Sequence, residues 1–105
     1  PGQREEQGQQ GPRTLWIGKL AHWMDEHFLF DTFASLGEKV SSTRVIRNKV
    51  TRRSEGYGFV KFSNHAAARN ILQTFNGVEC HFGDGDMGRL VLTLNWAASE
   101  GIGGL

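Results

Sequence analysis

Glycine and aromatic residues alternate at the start of the segment Gly56–Phe62, which reads GYGFVKF. Side chains along a β-strand point alternately to the two faces of its sheet, so Tyr57 and Phe59 would share one face while Val60 and Phe62 share the other. An aromatic ring that stays at a surface can stack on a flat partner such as a nucleic-acid base, which contributes about 1–3 kcal/mol per base. We therefore predict that Tyr57 and Phe59 belong to a binding face, and that Val60 and Phe62 belong to the core.

A second apolar segment adds a third ring to this face. Leu15 and Ile17 flank Trp16, and if both point into the core then Trp16 must point outward. Lys61 shares the face of the rings and can meet a phosphate. Contiguous exposed apolar patches usually mark interaction sites, so the sequence predicts an interaction surface here unless another segment covers the rings. The Gly-rich stretch 99–105 is a poor helix former and therefore a poor cover.

Basic residues are concentrated in one short stretch, although the net charge of the chain is only +1. Five of the twelve lysines and arginines fall within positions 44–53, namely Arg44, Arg47, Lys49, Arg52 and Arg53. Such a patch can attract phosphate groups even when the total charge is near zero. It can equally be a solvated loop that keeps the domain soluble, and the charge pattern alone leaves both readings open.

These residues need a sheet to position them, and the hydrophobic pattern predicts one. The predicted order is strand 14–18, a helix from Asp25 to Gly37, strand 41–47, strand 57–62, a helix from Asn64 to Gly77, and strand 90–95. Two helices that share one face of a sheet, separated by β segments, give an α+β fold. We predict a ferredoxin-like βαββαβ sandwich, in which a four-stranded antiparallel sheet carries both helices on one face.

The ends of both predicted helices carry their own signals. Asp25 and Asn64 are residue types that cap helix N-termini, and Gly37 stands where a helix C-terminus favours glycine. The first helix has an apolar stripe at Leu29, Phe33 and Leu36, and the second has one at Ala68, Ile71, Leu72 and Phe75.

The two ends of the chain differ in composition from the middle. Residues 1–13 contain no large apolar side chain, so we predict a disordered tail there and a flexible tail at 98–105, with one folded domain at 14–97. Because the chain begins with Pro1 rather than Met, we expect it to be a piece of a longer protein. No apolar run is long enough for a membrane span, and the single cysteine, Cys80, suits a reducing intracellular compartment.

Several patterns that can signal other chemistry do not fit their mechanisms. The segment Gly83–Gly88 matches G-x-G-x-x-G, but a β segment follows it where a nucleotide site needs a helix. The aspartates within it lack the other ligands of a calcium loop, and the four histidines and Cys80 show no zinc spacing. No nucleophile stands beside a base in a recognisable arrangement. We therefore expect no enzyme activity, no cofactor and no metal.

Two of the segments above resemble the paired motifs of the RNA recognition motif (RRM) family. Leu15–Leu20 resembles its hexamer motif and Glu55–Phe62 its octamer motif, in the expected order and at a suitable separation. The resemblance covers about residues 14–97. It implies that Trp16, Tyr57 and Phe59 are the base-stacking positions on the sheet.

Four shorter segments carry a closer resemblance. They are LWIG at 15–18, HWMDE at 22–26, IRNK at 46–49 and LNWA at 94–97. They look like an RRM of the plant oligouridylate- and polyadenylate-binding nuclear proteins, and are similar to selenocysteine-tRNA-associated proteins and to yeast U1-snRNP splicing-factor relatives. The resemblance implies a monomeric RNA-binding module beside other RRMs in one chain, active in pre-mRNA or mRNA metabolism. The implied partner is single-stranded RNA (mRNA, pre-mRNA or tRNA-related), and the implied location is nuclear, cytoplasmic or both.

The charge layout departs from the family motif. Glu55 stands where the octamer usually opens with Lys or Arg, and Lys19 stands where the hexamer usually has Asn or Asp. Arg52 stands where relatives often have a turn glycine. The residues that we expect to attract phosphate are Lys19, Lys61, Arg44, Arg47, Lys49, Arg52 and Arg53.

The remaining assignments keep their alternatives. Thr93 and Asn95 either read base edges or merely finish the last strand in water. Trp23 and Trp96 are either further platforms or lids over the core, and a lid is the preferred interpretation of Trp23. The whole domain can alternatively be an RRM-like protein-interaction module, since exposed aromatic residues also anchor protein interfaces.

Overall fold

The computed structural model describes residues 11–81 and 89–97. Residues 1–10 of the predicted tail at 1–13, the predicted tail at 98–105 and the predicted turn at 83–88 lie outside the described residues. The elements in chain order are β1 (Thr14–Gly18), α1 (Glu26–Ser35), β2 (Val40–Arg47), β3 (Ser54–Phe62), α2 (His65–Phe75), β4 (Glu79–His81), β5 (Arg89–Val91) and β6 (Thr93–Trp96). No helix among these residues is long and apolar enough to cross a membrane.

Four of the strands form one antiparallel sheet in the order β2-β3-β1-β6. Consecutive residues of β1 and β3 pair across the centre of this sheet, with Leu15 opposite Val60 and Trp16 opposite Phe59. Leu15 and Val60 are fully buried in a core that they share with residues of both helices, such as Phe33 and Ile71. The predicted ferredoxin-like α+β fold is therefore confirmed, with both helices on one face of the sheet.

The core explains the register of the central strands. Phe62 of β3 and Phe33 of α1 are both fully buried, and their rings meet edge to face with centroids 6.0 Å apart. Gly58 belongs to the same side of β3, where the β2 backbone approaches closely. Only glycine fits there, because a Cβ atom at residue 58 would lie only 2.3 Å from the Arg44 carbonyl oxygen. A shift of one residue in β3 would turn every one of these side chains to the opposite face.

The helix ends follow their sequence signals. The Asp25 Oδ1 atom accepts a hydrogen bond from the Phe28 N–H (2.9 Å), and the Asn64 Oδ1 atom accepts one from the Ala67 N–H (2.8 Å). Each bond satisfies one N–H group that the first turn of a helix leaves without an intrahelical partner. Gly37 follows α1 with a φ of +100°, a left-handed conformation that glycine adopts without steric cost.

The last predicted strand, 90–95, is wrong in its extent. Residues 89–91 form β5, which pairs with β4 in a separate two-stranded sheet, and only β6 joins β1. At Leu92 the chain passes from the two-stranded sheet into the main sheet; the Leu92 backbone N–H donates to Val78 O (2.9 Å) and its carbonyl accepts from Gly77 N (2.6 Å). Leu90, Leu92 and Leu94 are all buried. The alternation of apolar and polar residues therefore continues from β5 into β6, and the sequence gives no sign that they are separate strands.

The two ends of the folded part meet beside α2. His65 Nδ1 lies 2.7 Å from the Pro12 carbonyl oxygen, and the Phe62 N–H donates to the Arg13 carbonyl oxygen (2.8 Å). The Trp96 ring stacks on the His65 ring with centroids 5.3 Å apart. Trp96 is partly buried against the core, which supports the lid interpretation for this residue.

Glu26 holds the edge strand β2 to the start of α1. Its carboxylate accepts from the Val45 N–H (2.8 Å) and from both terminal nitrogens of Arg47 (2.7 and 3.0 Å). The hydrogen bond from Arg47 is the largest cause that lowers the pKa of Glu26, to about 2 from an ordinary 4.5. A carboxyl group with a lowered pKa stabilises the folded state above its ordinary pKa, and this contribution disappears as the pH falls toward the lowered value.

We therefore expect that Glu26→Gln lowers the free energy of unfolding at pH 7 by about 1 kcal/mol, a modest value because the ion pair is partly exposed to solvent. The difference between the variant and the original chain should shrink as the pH is lowered from 5 toward 2. Urea denaturation across this pH range measures it. Glu55→Gln, at an exposed carboxylate of β3, is the matched control, and an undiminished difference at low pH would contradict the assigned role.

Candidate functional site

The sheet face opposite the core carries three aromatic rings. Trp16 of β1 pairs directly with Phe59 of β3, and Tyr57 lies two residues from Phe59 along the same strand. The neighbouring residues Leu15, Ile17 and Val60 are fully buried, whereas all three rings are partly exposed. The structure thus places the predicted stacking residues together on the face that neither helix covers.

The three rings form one continuous surface. The Trp16 and Tyr57 rings lie nearly parallel, with an interplanar angle of 28° and centroids 6.1 Å apart. Tyr57 then meets Phe59 edge to face at a centroid separation of 6.3 Å. Flat faces at different angles can receive successive bases of a flexible single strand.

Gly18 allows the Trp16 ring to lie in this position. A Cβ atom at residue 18 would lie only 2.3 Å from the Cη2 atom at the far end of the indole. The ring therefore lies over the glycine, leaning along β1 toward Tyr57. An alanine at this position would force the ring to turn, because the side chain can move more easily than the paired backbone.

We expect that Gly18→Ala displaces the Trp16 ring from Tyr57 and weakens RNA binding by about fivefold, which corresponds to the lower end of the stacking energy for one base. The domain should stay folded because the clash is with a side chain. Two measurements check this: the loss of nuclear Overhauser effects between the ring protons of Trp16 and Tyr57, and an RNA titration. Binding equal to that of the original chain, with the indole moved, would argue against a role for Trp16.

A row of outward-facing residues crosses all four strands of the sheet. Arg44 of β2 pairs with Phe59, Phe59 pairs with Trp16, and Trp16 pairs with Asn95 of β6. Asn95 is exposed, and its Oδ1 atom accepts from the Trp96 N–H (2.8 Å). Thr93 pairs with Gly18, so both predicted base-edge residues lie beside the Trp16 ring.

The predicted basic residues fall into separate groups. Arg44 and Lys61 line a shallow depression of about 270 Å³ beside Phe59, on the same face as the rings. Arg52 and Arg53 line a larger depression of about 620 Å³ at the end of the sheet, together with Arg47. Lys19 and Lys49 are exposed in the loops that follow β1 and β2.

Arg47 differs from the other basic residues because Glu26 engages it. The Glu26 hydrogen bond raises the pKa of Arg47, and the ion pair offsets much of the charge that a phosphate would meet. Arg52 has a φ of +68°, a left-handed conformation that glycine adopts at less steric cost than arginine. The loop is ordered by the Asn48 side chain, which accepts from Val50 N (2.8 Å) and Thr51 N (2.9 Å).

Sequence reasoning missed two residues of the larger depression, His22 and Ser54. His22, in the loop after β1, lines it together with Arg47, Arg52 and Arg53. The histidine lies about 25 to 31 positions from these arginines in the chain, so only the folded structure brings them together. Among residues 11–81 and 89–97, no group of three metal-ligating side chains occurs.

Comparison with known proteins gives consistent matches. The family model described as RNA recognition motif matches residues 15–81. Polyadenylate-binding protein RBP45B of Arabidopsis thaliana is 53% identical over 87 residues, which cover 82% of this chain and 20% of that protein. Polyadenylate-binding protein RBP45 of Nicotiana plumbaginifolia is 60% identical over 65 residues, covering 62% of this chain and 16% of that protein. The chain therefore spans a fifth or less of the length of these relatives.

Solved structures agree on the fold. The second RRM domain of the yeast poly(U)-binding protein Pub1 superposes with a TM-score of 0.65 at 30% identity, over 82% of this chain and 94% of that one. The SXL-lethal protein/RNA complex gives a TM-score of 0.65 at 22% identity, over 83% of this chain and 47% of that one.

Proposed function

The chain belongs to the RNA recognition motif family, and from this premise we propose that it binds single-stranded RNA by stacking bases on Trp16, Tyr57 and Phe59. The observation that carries the proposal is the continuous surface of three rings on the face of the sheet that neither helix covers. Each ring offers a flat face to a base, and a base edge can then meet the polar groups of Asn95 and Thr93. Arg44 and Lys61 would attract the phosphate groups beside Phe59.

The names of the relatives suggest which RNA to try first. Two are polyadenylate-binding proteins, and a structural neighbour is a poly(U)-binding protein. We propose that the ligand is an A-rich or U-rich single-stranded stretch of an mRNA or pre-mRNA. A screen with short U, A, C and G homopolymers would rank these preferences.

The energies suggest that this domain works with others. Three stacked bases contribute a gross total of about 3–9 kcal/mol, and part of it is lost in ordering the strand. A micromolar dissociation constant requires a net value of about 8.2 kcal/mol, so the domain alone should bind weakly. We propose that this monomeric domain acts beside further RRMs in one nuclear or cytoplasmic protein, because linkage raises the overall affinity.

We expect RNA affinity to fall by about 20-fold between 50 and 200 mM salt if about three phosphates are neutralised, because counterions are released on binding. Fluorescence anisotropy with labelled oligo(U) and oligo(A) measures this dependence. Lys61→Gln should reduce the slope of log K against log salt by about 0.7. Arg69→Gln, at an exposed arginine of α2, removes the same charge from the helical side and should leave the slope nearly unchanged. An RNA affinity that does not change with salt concentration would favour the alternative that the domain is a protein-interaction module.

A further inference from the structure

A second surface with the features of a binding site lies along α1. A depression of about 400 Å³ is bordered by Trp23 and Phe28 at one end and continues past Asp31 and Thr32. This volume lies within the range of about 300–1,000 Å³ that is usual for pockets with ligands. None of the three stacking rings lines it, so the RNA-binding surface does not account for it. We refer to it as the α1 groove.

The wall of the α1 groove is an aromatic pair, the exposed Trp23 and the partly buried Phe28. The ring of Trp23 meets the ring of Phe28 edge to face, with centroids 4.9 Å apart and an interplanar angle of 73°. Trp23 is still 37% exposed, so the contact with Phe28 covers only part of the indole. Tryptophan is enriched among the residues that dominate protein interfaces. The preferred interpretation of Trp23 as a lid therefore leaves much of its surface unexplained.

The charge of this surface disfavours RNA as its ligand. The cap and helix 25–35 contain the carboxylates Asp25, Glu26 and Asp31, and no lysine or arginine. Glu26 is paired with Arg47, but Asp25 and Asp31 both line the α1 groove, as does His27. The Asp31 side chain is 65% exposed and lies 3.1 Å from His27 Nε2. Phosphate groups would be repelled here, whereas a cationic segment would be attracted.

We propose that the α1 groove docks a basic segment of a partner protein. One large apolar side chain of that segment would pack against Trp23 and Phe28, while an adjacent lysine or arginine would pair with Asp31. Apolar lining and acidic edges are complementary to this combination of side chains. Because the α1 groove and the three rings lie on different surfaces, the domain can hold its partner and its RNA together.

Two labelled model peptides test this proposal on the full chain. One carries a single Trp flanked by arginines, and the other carries the same Trp flanked by glutamates. In spectra of the ¹⁵N-labelled chain, the arginine peptide should shift backbone amides of residues 23–35, and the glutamate peptide should not. Equal effects of the two peptides, or shifts confined to the sheet, would overturn the proposal.

Variants make the test specific. Trp23→Ala removes the aromatic wall and Asp31→Lys turns an attraction for arginine into a repulsion, so each should weaken binding of the arginine peptide by at least about tenfold. Glu55→Lys makes the same charge change on β3 and should alter it by less than about twofold. If Trp23→Ala does not fold, Asp31→Lys decides, because its side chain is largely exposed. Unchanged peptide binding by Asp31→Lys would overturn the proposal.

The outcome is independent of the RNA site. Phe59→Ala should bind the arginine peptide as the original chain does, even where it loses RNA. Oligo(U) that shifts the amides of residues 23–35 more than those of β1 and β3 would instead assign the α1 groove to RNA and overturn the proposal.

Discussion

Phe59→Ala is expected to weaken the binding of single-stranded RNA by about 5- to 150-fold, the range that corresponds to the loss of one base stack. Phe59 lies in the middle of the row across the sheet, between Arg44 and Trp16, and it also contacts Tyr57. Its loss therefore removes one platform and the edge-to-face contact with Tyr57. Fluorescence anisotropy with labelled oligo(U) and oligo(A) at fixed salt measures the change.

The fold should survive this substitution, because Phe59 lies outside the core. Trp16→Ala should weaken RNA binding over a similar range. Phe30→Ala is the matched control: this phenylalanine is 40% exposed on α1, far from the row, and its loss should leave RNA affinity unchanged. If Phe59→Ala and Trp16→Ala both fold and bind as the original chain does, base stacking on this face is ruled out.

Phe62→Ala is expected to have the largest effect on stability, lowering the free energy of unfolding by about 3–5 kcal/mol. Phe62 is fully buried against Phe33, so its loss leaves a cavity in the core. Natural domains are stable by about 5–15 kcal/mol, so a loss of this size can leave much of the chain unfolded. Urea denaturation followed by tryptophan fluorescence measures it.

Phe59 and Phe62 form a natural comparison, because they belong to one strand and point to opposite faces. Phe62→Leu should cost less than Phe62→Ala, since leucine fills most of the cavity, and should allow a complete unfolding curve. Phe59→Ala should cost much less than either. Equal losses of stability from Phe59→Ala and Phe62→Ala would mean that the assigned faces of β3 are incorrect.

The alternation of side chains made the centre of the sheet predictable. Strands β1 and β3 pair in an unbroken register, so the apolar residues Leu15 and Val60 identified the core face and thereby the opposite one. The helix caps at Asp25 and Asn64 were predictable for a similar reason, because each bond is made within three residues of the chain.

The remainder depended on contacts between distant segments. The break at Leu92 follows from hydrogen bonds to residues 77 and 78, about fifteen positions away, while the leucine pattern continues unchanged. Pairing of Arg47 with Glu26 depends on the packing of β2 beside α1, so the charge pattern grouped Arg47 with the other basic residues. The α1 groove was not predictable from the sequence, because it depends on the way that Trp23, in the loop before α1, packs against Phe28.

Intermolecular nuclear Overhauser effects between an isotope-labelled chain and a short bound oligo(U) or oligo(A) test the proposed RNA site most directly. We predict cross-peaks from base protons to the ring protons of Trp16, Tyr57 and Phe59. If the chain is saturated with RNA and base protons show cross-peaks to side chains of the helices but none to these rings, stacking on the open face of the sheet is contradicted.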